Sequence, residues 1–283
     1  MTDLARRSID ELIVRYELEP TLDDVFVEGA FDKEVLSAAF LNSGLPERAI
    51  YDIETVEVPM SLLASYGLSD GNKQRVIALS RELSKLQGEL AQLCLVDKDL
   101  DHWFGELEKN KVIKWTTHAS IDLHFFSEGH LRDILLIACK ATIQDFPEFL
   151  SSLRSVLLEL YALRLADREL NWNLKWHDPS TCLTKNGSKI LFNLGVYTGR
   201  LLQANAKSRR THEFEQSLAI WKSQLVNDCR QCIRGHDFVD VLVWASRSFK
   251  GIRVMCSETA VGRLFIILAR DNEDIRNELA RST

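Results

Sequence analysis

The sequence contains no long apolar run, few prolines and no excess of positive charge. None of its hydrophobic stretches reaches the roughly 18 residues that a membrane span needs, and the mean hydropathy is −0.11. The N-terminal residues are mixed and charged, so we see no secretory signal and expect a cytoplasmic protein without a membrane segment. The net charge of −6 argues against nonspecific coating of nucleic acid, although it leaves a local basic groove possible.

Cysteine is also scarce. The six cysteines mostly stand alone in apolar or mixed stretches, which is typical of reduced core thiols and not of a disulfide framework. The exception is Cys229-x-x-Cys232, which together with His236 has part of the spacing of a zinc site. A structural zinc site needs four ligands, and no second Cys or His pair follows. Both cysteines continue an apolar helical stripe, so core packing is the default interpretation and zinc the alternative.

Up to about residue 127, strand and helix patterns alternate. Short apolar runs predict strands at 25–29, 48–53, 90–96 and 112–116, and helical spacing predicts helices at 7–17, 31–40 and 72–87. Such alternation predicts a mostly parallel sheet covered by helices. In these sheets, ligands bind beyond the carboxyl ends of the strands.

After this part the strand signals fade. Helices are predicted at 128–140, 146–168, 213–234, 237–247 and 257–280, with Gly235 as a stop and a loop over 172–188. We therefore predict an N-terminal helix in residues 1–19, an α/β domain in 20–127 and an α-helical domain in 128–283.

Two acidic motifs fall at the predicted carboxyl ends of strands. Glu28 closes the first strand, and Asp97-Lys98-Asp99-Leu100-Asp101 follows the apolar run that ends at Val96. Carboxylate oxygens are the ligands that Mg²⁺ prefers, with water and substrate phosphate completing its shell. Taken alone, the second motif is equally consistent with a polar turn after a buried strand.

The two motifs in this order resemble the Toprim domain. Residues 25–36, VFVEGAFDKEVL, are similar to its first motif, in which a glutamate closes the first strand, and residues 95–101, LVDKDLD, are similar to its later Asp-x-Asp. Residues 15–29, 117–126 and 235–237 are further similar to the Toprim nucleases of bacterial defence islands, the effectors of PARIS anti-phage systems, which are related to overcoming-lysogenization-defect nucleases.

The resemblance implies a Rossmann-like α/β Toprim fold with a catalytic site for Mg²⁺ or Mn²⁺. Glu28 would handle protons or bind metal, and Asp97 and Asp99 would bind metal. Asp32 and Asp101 are further candidate metal ligands. Relatives carry a glutamate where this sequence has Ile121-Asp122-Leu123-His124, so Asp122 is a candidate substitute and the third acidic ligand is open.

The resemblance also implies a function. In the family, a partner ATPase holds the nuclease inactive until a phage protein triggers its release, and the freed toxin-like effector cleaves host transfer RNA. We expect an endonuclease that prefers RNA, has an inhibitory partner ATPase and acts as a homodimer. The alternatives are a DNA-nicking nuclease and a catalytically silent Toprim scaffold that binds a partner ATPase or a nucleotide.

Several basic residues are candidates for contacts with substrate phosphates. Lys207-Ser208-Arg209-Arg210 is the densest basic patch, and a solvated loop is its more usual explanation. His236 is either a polar helix cap or a residue near the acidic site. The complete candidate set is Lys111, Lys114, Arg200, Lys207, Arg209, Arg210 and His236.

Overall fold

A computed structural model describes residues 6–41, 43, 48–225 and 229–280. The chain divides into two units, one comprising residues 1–121 together with 265–283, the other residues 122–264. The units differ from the predicted domains in three respects. Residues 1–19 belong to the first unit, the boundary falls after residue 121 and not after 127, and the C-terminal segment is grouped with the N-terminal unit.

The first unit is built from short strands and helices in alternation. In chain order its elements before residue 121 are β1 (Arg7–Ser8), α1 (Ile9–Leu18), β2 (Asp24–Val27), α2 (Ala30–Phe40), β3 (Ala49–Asp52), β4 (Val56–Glu57), α3 (Met60–Ser65), α4 (Asn72–Leu83), β5 (Leu93–Val96) and β6 (Ile113–Trp115). The four predicted strands are confirmed as β2, β3, β5 and β6, and the three predicted helices as α1, α2 and α4. The parallel pair β1 and β4 and the short helix α3 were not predicted.

The central sheet is parallel, with the strand order β3-β2-β5-β6. Every residue of β2 and β5 is buried, as expected of inner strands that are covered on both faces. From β2 the chain winds outward to β3 and then returns to the opposite side of β2 as β5. The winding direction therefore reverses between β2 and β5, and the carboxyl ends of these strands flank the crevice where such folds bind ligands.

The second unit is mainly helical, as predicted. Its elements are α5 (Glu128–Arg132), which continues as a π-helical turn over Asp133–Ala138, α6 (Phe146–Leu170), β7 (Leu183–Asn186), β8 (Lys189–Phe192), α7 (Leu194–Ala204), α8 (Thr211–Gln224) and α9 (Gly235–Ser248), and the chain continues as α10 (Glu258–Ala269) and α11 (Glu273–Glu278). Helix α6 forms the centre of its core and buries residues along most of its length.

The predicted loop at 172–188 is partly wrong, because β7 and β8 form an antiparallel hairpin. The pair Asn186 and Lys189 encloses a two-residue turn in which Gly187 has φ +60°. Glycine adopts this left-handed backbone without steric cost, so the Asn-Gly signal marks a hairpin turn and not an open loop. Helix α7, which begins after the Asn193 cap, was also missed.

The long helix predicted at 213–234 is wrong in its second half. Helix α8 ends at Gln224, and residues 229–231 form a separate 3₁₀ turn. Gly235, predicted as a stop, is instead the first residue of α9. The predicted helix at 257–280 is two helices, since Asn272 interrupts it and its side chain accepts the N–H of Ile275 at 3.2 Å.

The last helix completes the first unit. Ile275 and Leu279 are buried, Arg48 hydrogen-bonds the Leu279 carbonyl, and Lys114 Nζ donates to the carbonyl of Asn277 at 3.0 Å. These contacts explain why this segment is grouped with the sheet. In the part of the chain that the structure describes, no helix is both long and apolar enough to cross a bilayer.

Candidate active site

The structure brings Glu28 and Asp97 together at the reversal of the sheet. Glu28 follows the last residue of β2, and Asp97 follows the last residue of β5. The backbone N–H of Asp97 donates a hydrogen bond to Glu28 Oε1 at 2.9 Å. Asp97 Oδ1 in turn accepts the N–H of Ile121 at 3.1 Å. Both carboxylates are thus oriented by backbone groups at adjacent strand ends.

Asp32 lies beside this pair in the first turn of α2. Its Oδ2 accepts the backbone N–H of Gly29 at 3.0 Å, which closes the turn between Glu28 and the helix. Glu28, Asp32 and Asp97 line one small cavity of about 10 Å³, with Thr116 on its wall. A space of this size is comparable to that of a single water molecule.

The side chains of Asp99 and Asp101 are held by a lysine that the sequence analysis did not identify. Lys73 Nζ lies 2.9 Å from Asp99 Oδ2 and 2.7 Å from Asp101 Oδ2. Lys73 belongs to the first turn of α4, and its side chain is only 15% exposed. Its ammonium also lies 5.6 Å from the centre of the Trp115 ring, within range of a cation–π contact.

The loop after β5 is fixed by its own backbone. Asp99 has φ +44°, a left-handed conformation that aspartate tolerates better than most residues. Its N–H donates to the Ala119 carbonyl at 2.7 Å, and the Asp101 N–H donates to the Lys98 carbonyl at 2.8 Å. This turn separates Asp97, whose backbone N–H contacts Glu28, from Asp99, whose side chain contacts Lys73.

The electrostatics of the site favour a protonated Glu28. Burial raises the pKa of Glu28 to about 8, with Asp99 and Asp32 adding to the rise and Lys73 and the Asp97 N–H opposing it. Burial acts to lower the pKa of Lys73, but Asp99 and Asp101 outweigh it and the net shift is upward. At neutral pH the cluster therefore combines a charged lysine, its two aspartates and a glutamic acid that retains a proton.

The donor set fits Mg²⁺ in its chemistry, because Glu28, Asp32 and Asp97 supply only carboxylate oxygens around one cavity. Within the described residues, however, no three His, Cys, Asp or Glu side chains converge closely enough to hold an ion. Asp99 and Asp101 do not line this cavity, because both pair with the Lys73 ammonium.

Two predicted phosphate contacts of the first unit have other partners. Lys111 precedes β6, so it lies at the amino edge of the parallel sheet, opposite the acidic residues, and its Nζ hydrogen-bonds the Leu86 carbonyl. Lys114 Nζ donates to the carbonyls of Asn277 and Ala280 at 3.0 and 2.7 Å. Both lysines therefore bind backbone carbonyls at strand and helix ends.

Two residues of the basic patch in the second unit stack on an aromatic ring. The charged ends of Lys207 and Arg210 lie 5.1 and 4.7 Å from the centre of the Trp172 ring. Arg210 also forms a bidentate ion pair with Glu213 at 2.6 and 2.7 Å. These contacts support the interpretation of the patch as a solvated, structural surface more than a phosphate cradle.

The remaining candidates of the second unit are spread over its surface. Arg209 is exposed, and Arg200 is exposed with a contact of 3.7 Å to the Cys182 sulfur. His236 is exposed in the first turn of α9. Asp122 lies in the 3₁₀ helix Ile121–Phe125, at the first position of the second unit, and its role as a third ligand stays a prediction.

The zinc alternative gains no support among the described residues, which contain no metal-binding group of His, Cys, Asp and Glu. Cys232 is buried and Cys229 partly buried, and all six cysteines are free thiols. The two residues do not continue α8 as predicted, because the helix ends before them.

No protein-family model matches this sequence, and comparison with curated proteins gave no match.

Proposed function

We propose that the first unit is a Toprim-type endonuclease that uses Mg²⁺ or Mn²⁺ to hydrolyse phosphodiester bonds. The observation that carries this proposal is the pairing of Glu28 and Asp97 at the reversal of a parallel sheet, with the Asp97 N–H 2.9 Å from the Glu28 carboxylate. The order of the motifs along the chain, and their resemblance to Toprim motifs, supports the same assignment.

Each acidic residue has a distinct role in this proposal. Glu28 retains a proton near neutral pH and can give or take one during cleavage. The resemblance implies Asp97 and Asp99 as the principal metal ligands, with Asp32 and Asp101 as supporting carboxylates. Asp99 and Asp101 would have to release Lys73 in order to bind an ion. A bound divalent ion would stabilise charge on the phosphodiester and lower the pKa of a water molecule. Lys73 pairs with Asp99 and Asp101 in the metal-free protein.

The biological setting is proposed from the resemblance to PARIS effectors. On this basis the substrate is RNA, with host transfer RNA as the target, and the protein is a toxin-like antiviral effector. A partner ATPase would hold it inactive, and release would permit an active homodimer. A nuclease that damages its own host requires such restraint.

One observation favours a second candidate function, a catalytically silent Toprim scaffold. Lys73 already pairs with both Asp99 and Asp101, so these two carboxylates share a counter-charge without an ion. Such a protein would bind a partner ATPase or a nucleotide and would signal by assembly.

The test is cleavage of total transfer RNA and of supercoiled plasmid by the purified protein, with Mg²⁺, with Mn²⁺ and with a chelator. The proposal expects metal-dependent RNA cleavage that falls by about a thousandfold in Glu28→Gln and Asp97→Asn. Glu54→Gln is the matched control, because Glu54 is an exposed glutamate of the same unit.

The outcomes separate the candidates. Nicking of plasmid without RNA cleavage would indicate the DNA-nicking alternative. Cleavage of neither substrate would favour the scaffold. Equal rates of cleavage by Glu28→Gln and wild type would reject the proposed site. Sequencing of RNA ends after induction in cells would then locate the cut.

A further inference from the structure

The second unit contains a cavity of about 450 Å³ that has no role in the proposed nuclease. It is lined by residues of α6 and α9, by the segment 176–180 and by Glu258 at the start of α10. Its volume lies within the range of cavities that hold small molecules. The side chains around it bear four carboxylates, Asp178, Asp237, Asp240 and Glu258, and two guanidinium groups, Arg164 and Arg247.

One of the guanidinium groups is fully committed to the protein. Arg164 Nε and Nη2 lie 2.7 and 2.6 Å from the two carboxylate oxygens of Asp237, a bidentate pair. The guanidinium also lies 4.2 Å from the centre of the Trp176 ring. Arg164 and Asp237 thus neutralise each other in the wall of the cavity, and neither offers a free charge to a ligand.

Two of the other carboxylates have no such partner. Across the described residues, neither Asp240 nor Glu258 makes a hydrogen bond or an ion pair. Burial raises the pKa of Asp240, and the nearby carboxylates of Asp237, Glu258 and Asp178 add to the rise. The cavity therefore holds an excess of negative charge.

The remaining polar side chains of the lining include a further carboxylate, Asp178, and a second guanidinium group, Arg247. Asp178 accepts hydrogen bonds from the N–H and hydroxyl of Ser180 at 2.8 and 2.6 Å, which leaves its charge uncompensated. Arg247 directs its Nε to the Cys256 carbonyl at 2.8 Å. His177 Nε2 is buried and has no hydrogen-bond partner among the described residues.

Aromatic surface completes the cavity wall. Trp244 lines it from α9, four residues after Asp240 and thus on the same face of the helix. An indole ring next to unpaired carboxylates attracts organic cations, since its face carries negative charge and its surface covers methylene groups. An anionic ligand would meet repulsion from three carboxylates in the same space.

We propose that this cavity binds an organic cation with two or more ammonium or guanidinium groups, with Asp240 and Glu258 as its anionic anchors and Trp244 as its aromatic wall. The ligand chemistry is that of a linear polyamine or of lysine and arginine side chains in a peptide. The site is independent of the proposed nuclease, because none of its residues belongs to the acidic cluster of the first unit.

The experiment is calorimetric titration of the full-length protein, freed of nucleic acid, with spermidine, with a blocked Lys-Arg dipeptide and with inorganic phosphate. Saturable binding of spermidine or the dipeptide at physiological salt, with no binding of phosphate, is the expected result. Stronger binding of spermidine would identify a free polyamine as the source, and stronger binding of the dipeptide would identify a protein segment.

Variants locate the site. Asp240→Asn and Glu258→Gln should each weaken the binding of the cation by about tenfold, which corresponds to about 1.4 kcal/mol. Glu215→Gln is the control, because Glu215 is an exposed glutamate of α8 that does not line the cavity. Neither carboxylate makes an ion pair within the described part of the protein, so the melting temperature of the free variants should not fall below that of wild type. Absence of saturable binding, or equal weakening by all three variants, would overturn the proposal.

Discussion

The N–H of Asp97 donates a hydrogen bond to the carboxylate of Glu28 across the crevice between β2 and β5. Asp97 therefore positions Glu28 through its backbone N–H, while the side chain of Asp97 accepts the N–H of Ile121. The contact with Glu28 joins two motifs that are 69 positions apart in the sequence. The contact favours the ionised carboxylate, but burial outweighs it and raises the pKa of Glu28.

The shifted pKa of Glu28 predicts a pH-dependent stability. The folded protein retains the proton up to about pH 8, whereas the unfolded chain loses it near the ordinary value of 4.5. Between these values the folded state binds more protons, so the free energy of unfolding should fall as pH rises, by at most about 1.4 kcal/mol per pH unit. Urea unfolding in a chelator from pH 5 to pH 8 measures this slope. Glu28→Gln lacks the titrating group, and an identical slope in that variant would contradict the assignment.

Lys73→Met should destabilise the metal-free protein. It leaves Asp99 and the buried Asp101 without their counter-charge, at a cost of about 2 kcal/mol in the free energy of unfolding. Added Mg²⁺ should recover part of this loss. The control is Lys33→Met, whose ammonium is 3.6 Å from Asp52 and 40% exposed, so we expect a loss below about 0.5 kcal/mol. If Mg²⁺ stabilises neither wild type nor the Lys73 variant, the proposed ion site is wrong.

The free energy of unfolding should depend strongly on both partners of the buried pair formed by Arg164 and Asp237. Arg164→Met removes the close partner of a carboxylate that is 3% exposed and leaves it, among the described residues, only Arg234 at 3.9 Å. We expect a loss of about 3 kcal/mol in the free energy of unfolding. Replacing both, as Arg164→Met with Asp237→Leu, should recover much of that loss because no charge is then buried alone. The exposed pair of Lys222 and Glu159 provides the comparison, where Lys222→Met should cost about 0.5 kcal/mol.

The C-terminal helix should contribute directly to the stability of the sheet unit. Ile275 is fully buried, and Ile275→Ala should cost about 2–4 kcal/mol through lost burial and the cavity it creates. Ile267→Ala removes the same atoms from a side chain that is 61% exposed, so its effect should stay within about 0.5 kcal/mol. Equal melting temperatures for the two variants would show that α11 does not support the unit.

The parallel sheet could be predicted because its strands are short apolar runs that alternate with helical patterns. The predictions that were wrong fall where local backbone geometry ends a helix or forms a turn. The apolar stripe through Trp221 and Cys232 continued beyond α8, yet Leu225 leaves the helical region with ψ 77°, and a periodic pattern does not reveal such a break. The hairpin at Gly187 was visible only as a turn signal.

The candidate site was predictable in part for the same reason. The sequence predicts Glu28 and Asp97 at the carboxyl ends of two strands. The strand order of the sheet makes these two ends neighbours. Lys73 could not be predicted, because a single lysine at the start of a helix carries no periodic or spacing signal. Its position near Asp99 depends on how α4 packs and on the left-handed backbone at residue 99.

The first unit is discontinuous in the chain, with residues 122–264 lying between its two parts. During synthesis, which proceeds from the N-terminus, its sheet emerges long before the helix that covers Arg48 and Lys114. The acidic residues are therefore translated before α11, and the sheet that carries them lacks its α11 contacts until residues 265–280 have been synthesised.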